Sequence, residues 1–285
     1  MRGEQLRAKL HAGERVYGIC MEGYGQPRHP KYFADVGLDY VWLDSEHSPA
    51  NRETIAWAIQ AYAANNVAPI VRIPEISAAR AAMVVDAGAH GVIVPYVETV
   101  EQVRAIAGAI KYRPLKGAAL TAAVERGEYS NAETKAYLEN YNRDINLIIM
   151  IESPTGVQNL PDLLAVPGVD AILIGPHDLT VSHGIAEQYD HPLFEQTVEK
   201  IIDTCQAHHI AVGMHFISGS VDWALRWAQR GFNFISYRGD TLFTARGIRS
   251  ELHYLREQLD GVPVAGSTDA IGASGHIHFQ TGEST

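Results

Sequence analysis

The chain is poor in cysteine and has no long apolar run, and each shortage excludes a class of protein. Its 285 residues include only Cys20 and Cys205, each in an apolar segment with no set of metal ligands beside it. Two isolated thiols predict reduced, buried side chains in a cytoplasmic protein rather than a disulfide scaffold. No run approaches the roughly 18 apolar residues of a membrane helix, and residues 1–14 lack the apolar core of a secretory signal.

Positive charge is also in deficit. The chain has 23 Lys and Arg against 33 Asp and Glu, a net charge of −10. Because this charge repels phosphate backbones and anionic lipid, we expect neither nucleic acid nor a membrane surface as a partner. The 46% hydrophobic content is enough for a large core. Composition changes only near residue 260, so we predict a domain over 1–260 and a Gly-, Ser- and Thr-rich tail over 261–285, flexible or ordered in an oligomer.

Short apolar runs alternate with segments that are apolar at three-to-four spacing. The runs are 16–21, 38–43, 67–73, 91–95, 117–121, 146–151, 170–175, 210–215 and 232–237. This alternation predicts a parallel sheet with helical crossovers, and no glycine-rich phosphate motif supports an open nucleotide-binding sheet. Length and element count instead predict a (β/α)8 TIM barrel. One run is in excess: 117–121 is the weakest, and 16–21 could lie outside the ring.

The predicted strands end in polar side chains. Such ends form the active site of a (β/α)8 barrel. Taken singly, each polar residue is better explained by a helix cap, a turn or a surface ion pair. Taken together they predict one site, made of Asp44, Glu46, His47, Arg72, Glu152, Gly175, Pro176, His177, Asp178 and His215.

Two of these carboxylates suit a hard cation. Glu152 and Asp178 follow consecutive predicted strands, and two protein oxygens fit Mg²⁺ or Mn²⁺, which keep waters or take substrate oxygens. No His or Cys pair has the spacing of a zinc site. The alternative is that both carboxylates cap the helices beginning near 154 and 179. The turn at Gly175 and Pro176 places amides where a small carboxylate could bind.

Five segments together resemble the HpcH/HpaI family of metal-dependent class II aldolases, over about residues 16–255. They are Asp44-x-Glu46-His47-x-Pro49, Val71-Arg72-x-Pro74, the stretch 86–99, Ile151-Glu152-Ser153 and Ile174-Gly175-Pro176-x-Asp178-Leu179. The resemblance implies cleavage of a 4-hydroxy-2-oxo acid to pyruvate and an aldehyde, reversibly, through a metal-bound pyruvate enolate. It also implies a homo-oligomer, built from dimers that form hexamers through exchanged C-terminal helices.

The resemblance further assigns roles to individual residues. Glu152 and Asp178 match the ligands of a divalent ion, Mg²⁺, Mn²⁺ or Co²⁺, and Arg72 matches the arginine that stabilises the enolate. His47 matches the catalytic base, and Asp86 the carboxylate that orients it. Asp44 and Glu46 are then expected to hold water bound to the metal.

Some positions depart from the family pattern. Met150 stands where family aldolases carry a glutamine near the substrate, and His215 ends a strand where relatives are apolar. We expect His177 and His215 to contact substrate. These departures keep open an oxaloacetate decarboxylase or a citrate-synthase-like condensing enzyme that uses the same enolate. A non-catalytic homologue is disfavoured, because the catalytic set is retained.

Overall fold

Eight parallel strands form a closed barrel in the computed structural model, which describes residues 1–23, 28–217 and 219–261. Each strand pairs with its neighbours in sequence, and β8 closes the ring on β1. The strands are β1 Val16–Met21, β2 Tyr40–Asp44, β3 Ala68–Arg72, β4 Gly91–Val94, β5 Asn146–Ile151, β6 Ala171–Ile174, β7 Ala211–Phe216 and β8 Phe234–Gly239. The predicted (β/α)8 barrel is confirmed.

Helices connect and surround these strands. They are α1 Gly3–His11, α2 His29–Phe33, α3 Arg52–Ala64, α4 Ala78–Asp86, α5 Val100–Lys111, α6 Gly117–Arg126, α7 Ala132–Tyr141, α8 Pro154–Leu164, α9 Pro176–Ser182, α10 Pro192–Ala207, α11 Val221–Arg230 and α12 Asp240–Asp260. Local signals set several starts: Asn51, Ser77 and Thr99 each accept a hydrogen bond from a backbone N–H of the first helical turn. Such caps satisfy amides that have no partner within the helix.

Two expectations about the strands need correction. The run 117–121 is the start of α6, and the strand prediction there was wrong. Alanine has the highest helix propensity, and this alanine-rich segment continues to Gly127, which ends the helix at φ 66°. The run 16–21, which could have lain outside the ring, is β1 and pairs with both β2 and β8.

The alternation of side chains along each strand separates two cores. Tyr40 and Trp42 face the barrel interior, whereas Val41 and Leu43 pack against the surrounding helices. Leu6 and Leu10 of α1 join the interior cluster, so α1 closes the amino-terminal end of the barrel. Because side chains alternate, the residue two positions after Trp42 also points inward, at the carboxyl-terminal end.

The last helix, α12, is scarcely packed against the rest of the chain. Only Asp240 of its 21 residues is buried. Ile248, Leu252, Leu255 and Leu259 are 44% to 79% exposed and lie on one face at spacings of four, three and four. An apolar stripe of this length is typical of a surface that another helix covers.

Other expectations concern the termini and the cysteines. Cys20 and Cys205 are free and buried, as predicted. Among the described residues, no helix is both long and apolar enough to cross a membrane. The predicted tail, 261–285, lies outside the described residues except for Gly261, so its behaviour stays a prediction.

Candidate active site

Charged side chains continue the interior faces of three strands at the carboxyl-terminal end of the barrel. Asp44 follows Trp42 on β2, Arg72 follows Ile70 on β3, and Glu152 follows Met150 just after β5. All three are buried, with 2% to 7% of their surface exposed. The register pairs Asp44 directly with Arg72. The predicted cluster of strand ends is therefore a real cluster in space.

Arg72 is held on three sides. Its Nε and Nη2 donate to the two oxygens of Asp44 at 2.9 Å and 2.6 Å, and its Nη1 lies 3.0 Å from Glu46 Oε2. Its guanidinium lies 4.9 Å from the centre of the Trp42 ring. Burial alone would raise the pKa of Asp44, but the bond to Arg72 lowers it overall. The planar guanidinium thus has a fixed orientation, which a lysine could not reproduce.

The loop after β2 carries Glu46 and His47. Burial raises the pKa of Glu46, the charge of Arg72 opposes that shift, and the charges of Asp44 and Asp178 add to it. His47 is about half exposed, and its Nε2 lies 3.8 Å from Glu46 Oε1. We expected Asp44 and Glu46 to hold water on a metal. In the structure both carboxylates contact Arg72, and the role in holding metal-bound water stays a prediction.

Glu152 is buried, and no Lys or Arg of the described ranges forms an ion pair with it. Burial, together with the nearby charges of Asp178 and Glu46, raises its pKa to about 8, although Arg72 lowers it. Its Oε2 accepts a hydrogen bond from the amide of Tyr96 at 2.9 Å. A Cβ on Gly175 would lie 2.5 Å from Glu152 Oε1, so only glycine leaves room for this carboxylate.

Glu152 and Asp178 fit a divalent cation. Asp178 is exposed in the first turn of α9, and its charge reaches both Glu152 and Glu46. A cation beside Glu152 and Asp178 would relieve their repulsion, and carboxylate oxygens are the donors that Mg²⁺ and Mn²⁺ prefer. Within the described ranges, no cluster of three or more His, Cys, Asp or Glu is placed to bind a metal. A cation held by Glu152 and Asp178 would take its other ligands from water or substrate.

The two predicted histidines differ in placement. His215, on β7, packs edge-on to Trp42 with ring centres 4.9 Å apart, and its buried Nε2 has no hydrogen-bond partner among the described residues. Burial and the charge of Arg72 lower its pKa to about 4, so the ring is neutral at physiological pH. His177 is more exposed, and its Nδ1 lies 3.5 Å from Glu187 Oε1 in the loop after α9.

The structure does not bring Asp86 to His47 within the chain. Asp86 ends α4, its carboxylate contacts Arg113, and 60% of its side chain is exposed. A helix that follows a barrel strand runs back towards the amino-terminal end, and His90, four residues later, already bonds to Pro69 near the start of β3. The residue therefore lies at the opposite end of the barrel. The spacing of apolar residues in α4 predicts a helix but does not indicate at which end of the barrel Asp86 lies.

Two residues at the rim, Tyr96 and Asp240, were not predicted from the sequence. Tyr96 follows β4 and contacts both Glu152 and Glu46. Asp240 follows β8 and accepts hydrogen bonds from the amides of Glu22 at 2.9 Å and Gly23 at 3.0 Å, which fixes the end of β1. The rule that strand ends form the site, applied to the fourth and eighth barrel strands, points to both.

A cavity of about 770 Å³ lies at the other end of the barrel. Its lining includes His11, Glu14, Arg15, Tyr17 and Phe232 and has no pair of carboxylates. The carboxyl-terminal rim differs from this cavity because it gathers several carboxylates around Arg72.

The fold and this rim define a (β/α)8 barrel with an acidic, arginine-containing site at the carboxyl ends of its strands. The family model described as HpcH/HpaI aldolase/citrate lyase matches residues 26–241, and the chain belongs to this family.

Individual relatives extend over most of the chain. A 2-keto-3-deoxy-L-rhamnonate aldolase of Shigella sonnei is 29% identical over 92% of this chain and 97% of its own. An HpcH/HpaI aldolase of Desulfitobacterium hafniense superposes with a TM-score of 0.76 at 26% identity, covering 88% of this chain and 96% of that one. The citrate synthase SbnG superposes with a TM-score of 0.76 at 29% identity, covering 90% and 98%.

Proposed function

We propose that the protein is a divalent-metal-dependent carbon–carbon lyase that cleaves a 4-hydroxy-2-oxo acid to pyruvate and an aldehyde, reversibly. The observation that carries the proposal is the convergence of Arg72, Glu152 and Asp178 on one rim, where the buried Glu152 has a second carboxylate nearby instead of a paired cation. The similarity to a 2-keto-3-deoxy-L-rhamnonate aldolase supports this reaction class.

Glu152 and Asp178 would hold the cation, Mg²⁺, Mn²⁺ or Co²⁺. When bound, such an ion acts as a Lewis acid towards the oxygens of an oxo acid. Glycine at position 175 leaves the space that the Glu152 carboxylate occupies, because any side chain there would clash with it. Gly175 and Pro176 would lie beside the bound oxo acid.

The side chains account for the bond cleavage. His47 takes the proton of the 4-hydroxyl, the C4 carbonyl forms, and the C3–C4 bond breaks so that its electron pair enters the enolate of pyruvate. Arg72, already fixed by Asp44, donates to the developing enolate oxygen. Protonation of C3 then completes pyruvate. A pairing of Asp86 with His47 would have to form between two copies of the chain.

His215 and His177 complete the proposed substrate contacts. The unpartnered Nε2 of His215 lies among Trp42, Arg72 and Asp44, where a polar group of the substrate would satisfy it. His177 is more exposed, and it lies next to Glu187. Met150 is buried inside the barrel and offers no hydrogen-bond donor.

The second candidate function uses the same pyruvate enolate in a different reaction. Oxaloacetate decarboxylation and citrate-synthase-like condensation both use this intermediate. The similarity to the citrate synthase SbnG, at 29% identity, favours this alternative as much as the aldolase relative favours cleavage. The apolar Met150 is compatible with either.

The exposed stripe of α12 supports a homo-oligomer. Ile248, Leu252, Leu255 and Leu259 present apolar surface that a second copy of the chain would bury, consistent with a dimer-based assembly that exchanges this helix. Light scattering of the full chain tests this, since a monomer would contradict it.

Turnover after metal removal tests the function. The protein is dialysed against EDTA and restored with Mg²⁺, Mn²⁺ or Co²⁺, and pyruvate release is measured from a panel of 4-hydroxy-2-oxo acids that includes 2-keto-3-deoxy-L-rhamnonate. We expect release only after metal is restored. Activity that survives complete metal removal would disprove metal dependence. Consumption of oxaloacetate without cleavage of any panel member would favour the second candidate.

A further inference from the structure

Tyr96 contacts both halves of the candidate site. Its amide donates to Glu152 Oε2 at 2.9 Å, and its hydroxyl donates to Glu46 Oε1. Glu46 in turn contacts Arg72 Nη1 with its other oxygen at 3.0 Å. One residue therefore joins the carboxylate proposed to hold the cation to the arginine proposed to face the enolate.

The backbone of Tyr96 is in a conformation that residues with a Cβ avoid. Its φ is 59°, in the left-handed region. The residue lies between Pro95 and the buried Val97 at the end of β4, and 48% of its surface is exposed. Surrounding contacts must hold such a conformation, and the bond from its amide to Glu152 is one of them.

The hydroxyl acts on Arg72 through Glu46. The Glu46 side chain is only 8% exposed and uses one oxygen for Arg72 and the other for Tyr96. Rotation of Glu46 would remove the contact at Nη1 and leave the guanidinium with the two bonds to Asp44 and the Trp42 ring. Because the phenol occupies the second oxygen, it opposes this rotation.

We propose that Tyr96 is a positioning residue. Its hydroxyl keeps Glu46 against Arg72 and its amide orients Glu152, so that both groups are directed at the same oxo acid. The inference rests on the proposed function for its chemistry. The half-exposed phenol itself is not required to touch the reacting atoms.

The test separates the hydroxyl from the backbone. Tyr96→Phe removes the bond to Glu46 and keeps the amide, whereas Tyr96→Gly keeps the amide but releases the φ restraint. Calorimetry gives the Kd of Mn²⁺ on the metal-free protein and then the Kd values of oxalate, a planar mimic of the enolate, and of pyruvate on the Mn²⁺-loaded protein. Circular dichroism verifies the fold of each variant.

For Tyr96→Phe we expect an unchanged Mn²⁺ Kd, oxalate binding weakened by roughly 5- to 20-fold, and a kcat reduced by a similar factor with little change in KM. Pyruvate binding should change much less than oxalate binding. Tyr96→Gly should also weaken Mn²⁺ binding. Tyr141→Phe, which alters a half-exposed tyrosine on α7, is the matched control and should match wild type.

The possible outcomes separate the role of Tyr96 from the proposed function. Wild-type oxalate affinity and kcat in Tyr96→Phe would overturn it, as would equal losses for oxalate and pyruvate. A wild-type protein that binds Mn²⁺ and oxalate but releases no pyruvate would contradict only the proposed lyase function. In that case, oxalate binding to Tyr96→Phe would still decide whether Tyr96 is a positioning residue. Absence of both Mn²⁺ and oxalate binding in wild type would overturn both.

Discussion

The two ends of the barrel each bury a carboxylate, and the two carboxylates are stabilised differently. At the amino-terminal end, Asp170 lies 2.5 Å from Lys111 Nζ and 3.0 Å from His11 Nε2, and accepts from the Leu147 amide at 2.8 Å. Burial alone would raise its pKa, but these partners lower it. At the carboxyl-terminal end, Glu152 receives one amide and its pKa rises to about 8.

Burial by itself therefore does not distinguish a structural acid from a functional one. Asp170 is satisfied within the chain, and through His11 it ties α1 to the barrel. Among the residues that the structure describes, none forms an ion pair with Glu152, which has the Tyr96 amide and the nearby charges of Asp178 and Glu46. An unsatisfied buried charge is costly unless a ligand compensates it, which makes the carboxyl-terminal end the one suited to a cation.

The largest expected effect is the loss of turnover when Glu152, at the carboxyl-terminal end of the barrel, is replaced. Glu152→Ala should lower kcat by about 10³-fold or more and abolish Mn²⁺ binding, because one of the two proposed protein ligands is lost. Pyruvate release and calorimetry measure the two effects. Glu101→Ala, on the exposed face of α5, is the control. Full turnover with bound metal in Glu152→Ala would remove Glu152 from the proposed site.

The largest effect on stability should come from a substitution beside Asp170, at the amino-terminal end of the barrel. Lys111→Met leaves Asp170 buried without its main partner, which should cost about 3–5 kcal/mol and lower the Tm by roughly 10 °C. Below the transition, kcat should match wild type. Lys135→Met, in an exposed pair with Glu139, should leave the Tm nearly unchanged. Loss of kcat at an unaltered Tm would show that the amino-terminal cluster acts in function.

Arginine geometry gives a smaller effect. Arg72→Lys keeps the charge but loses the two-point bond to Asp44, so kcat should fall by about 10²-fold while Mn²⁺ affinity changes little. Steady-state kinetics measure this. Arg80→Lys, in an exposed pair with Glu75, serves as the matched substitution. Equal activity of Arg72→Lys and wild type would mean that the fork geometry is unimportant.

The smallest effect is a pH dependence of stability without metal. The folded pKa of Glu152 is about 8, against an ordinary 4.5. Below pH 4.5 this carboxyl does not lower the free energy of unfolding, and its destabilising effect grows as the pH rises to about 8. In EDTA, Glu152→Gln should therefore match wild type at pH 5 and exceed its Tm by roughly 3–6 °C at pH 8.5. Thermal unfolding at both pH values measures this, and an equal Tm difference at both would contradict the raised pKa.

Most of the fold was predictable because its signals are local. Eight of the nine apolar runs are strands, and helices begin at residues such as Asn51 and Thr99 that cap their own first turns. The exception, 117–121, was misjudged because a five-residue apolar run does not distinguish a strand from the first turn of an alanine-rich helix.

The candidate site was predictable only as a set of strand ends. The rim does gather Asp44, Glu46, Arg72, Glu152 and His215, as expected from the barrel. The family resemblance added Asp86, which one chain places at the other end of the barrel. Tyr96 was missed because the strand-end rule was applied only to charged residues, histidines and a glycine turn, and the role of a tyrosine after a strand depends on its contacts.

By itself, the sequence determined the barrel and which residues end its strands, since hydrophobic period and capping act over a few residues. Only the tertiary structure decided which charges meet. Arg72 reaches Asp44 across 28 positions, and Tyr96 reaches Glu152 across 56, because strand register and barrel closure bring distant strand ends together. The same closure pairs Asp170 with Lys111 and His11 at one end, whereas at the other end no described Lys or Arg forms an ion pair with Glu152.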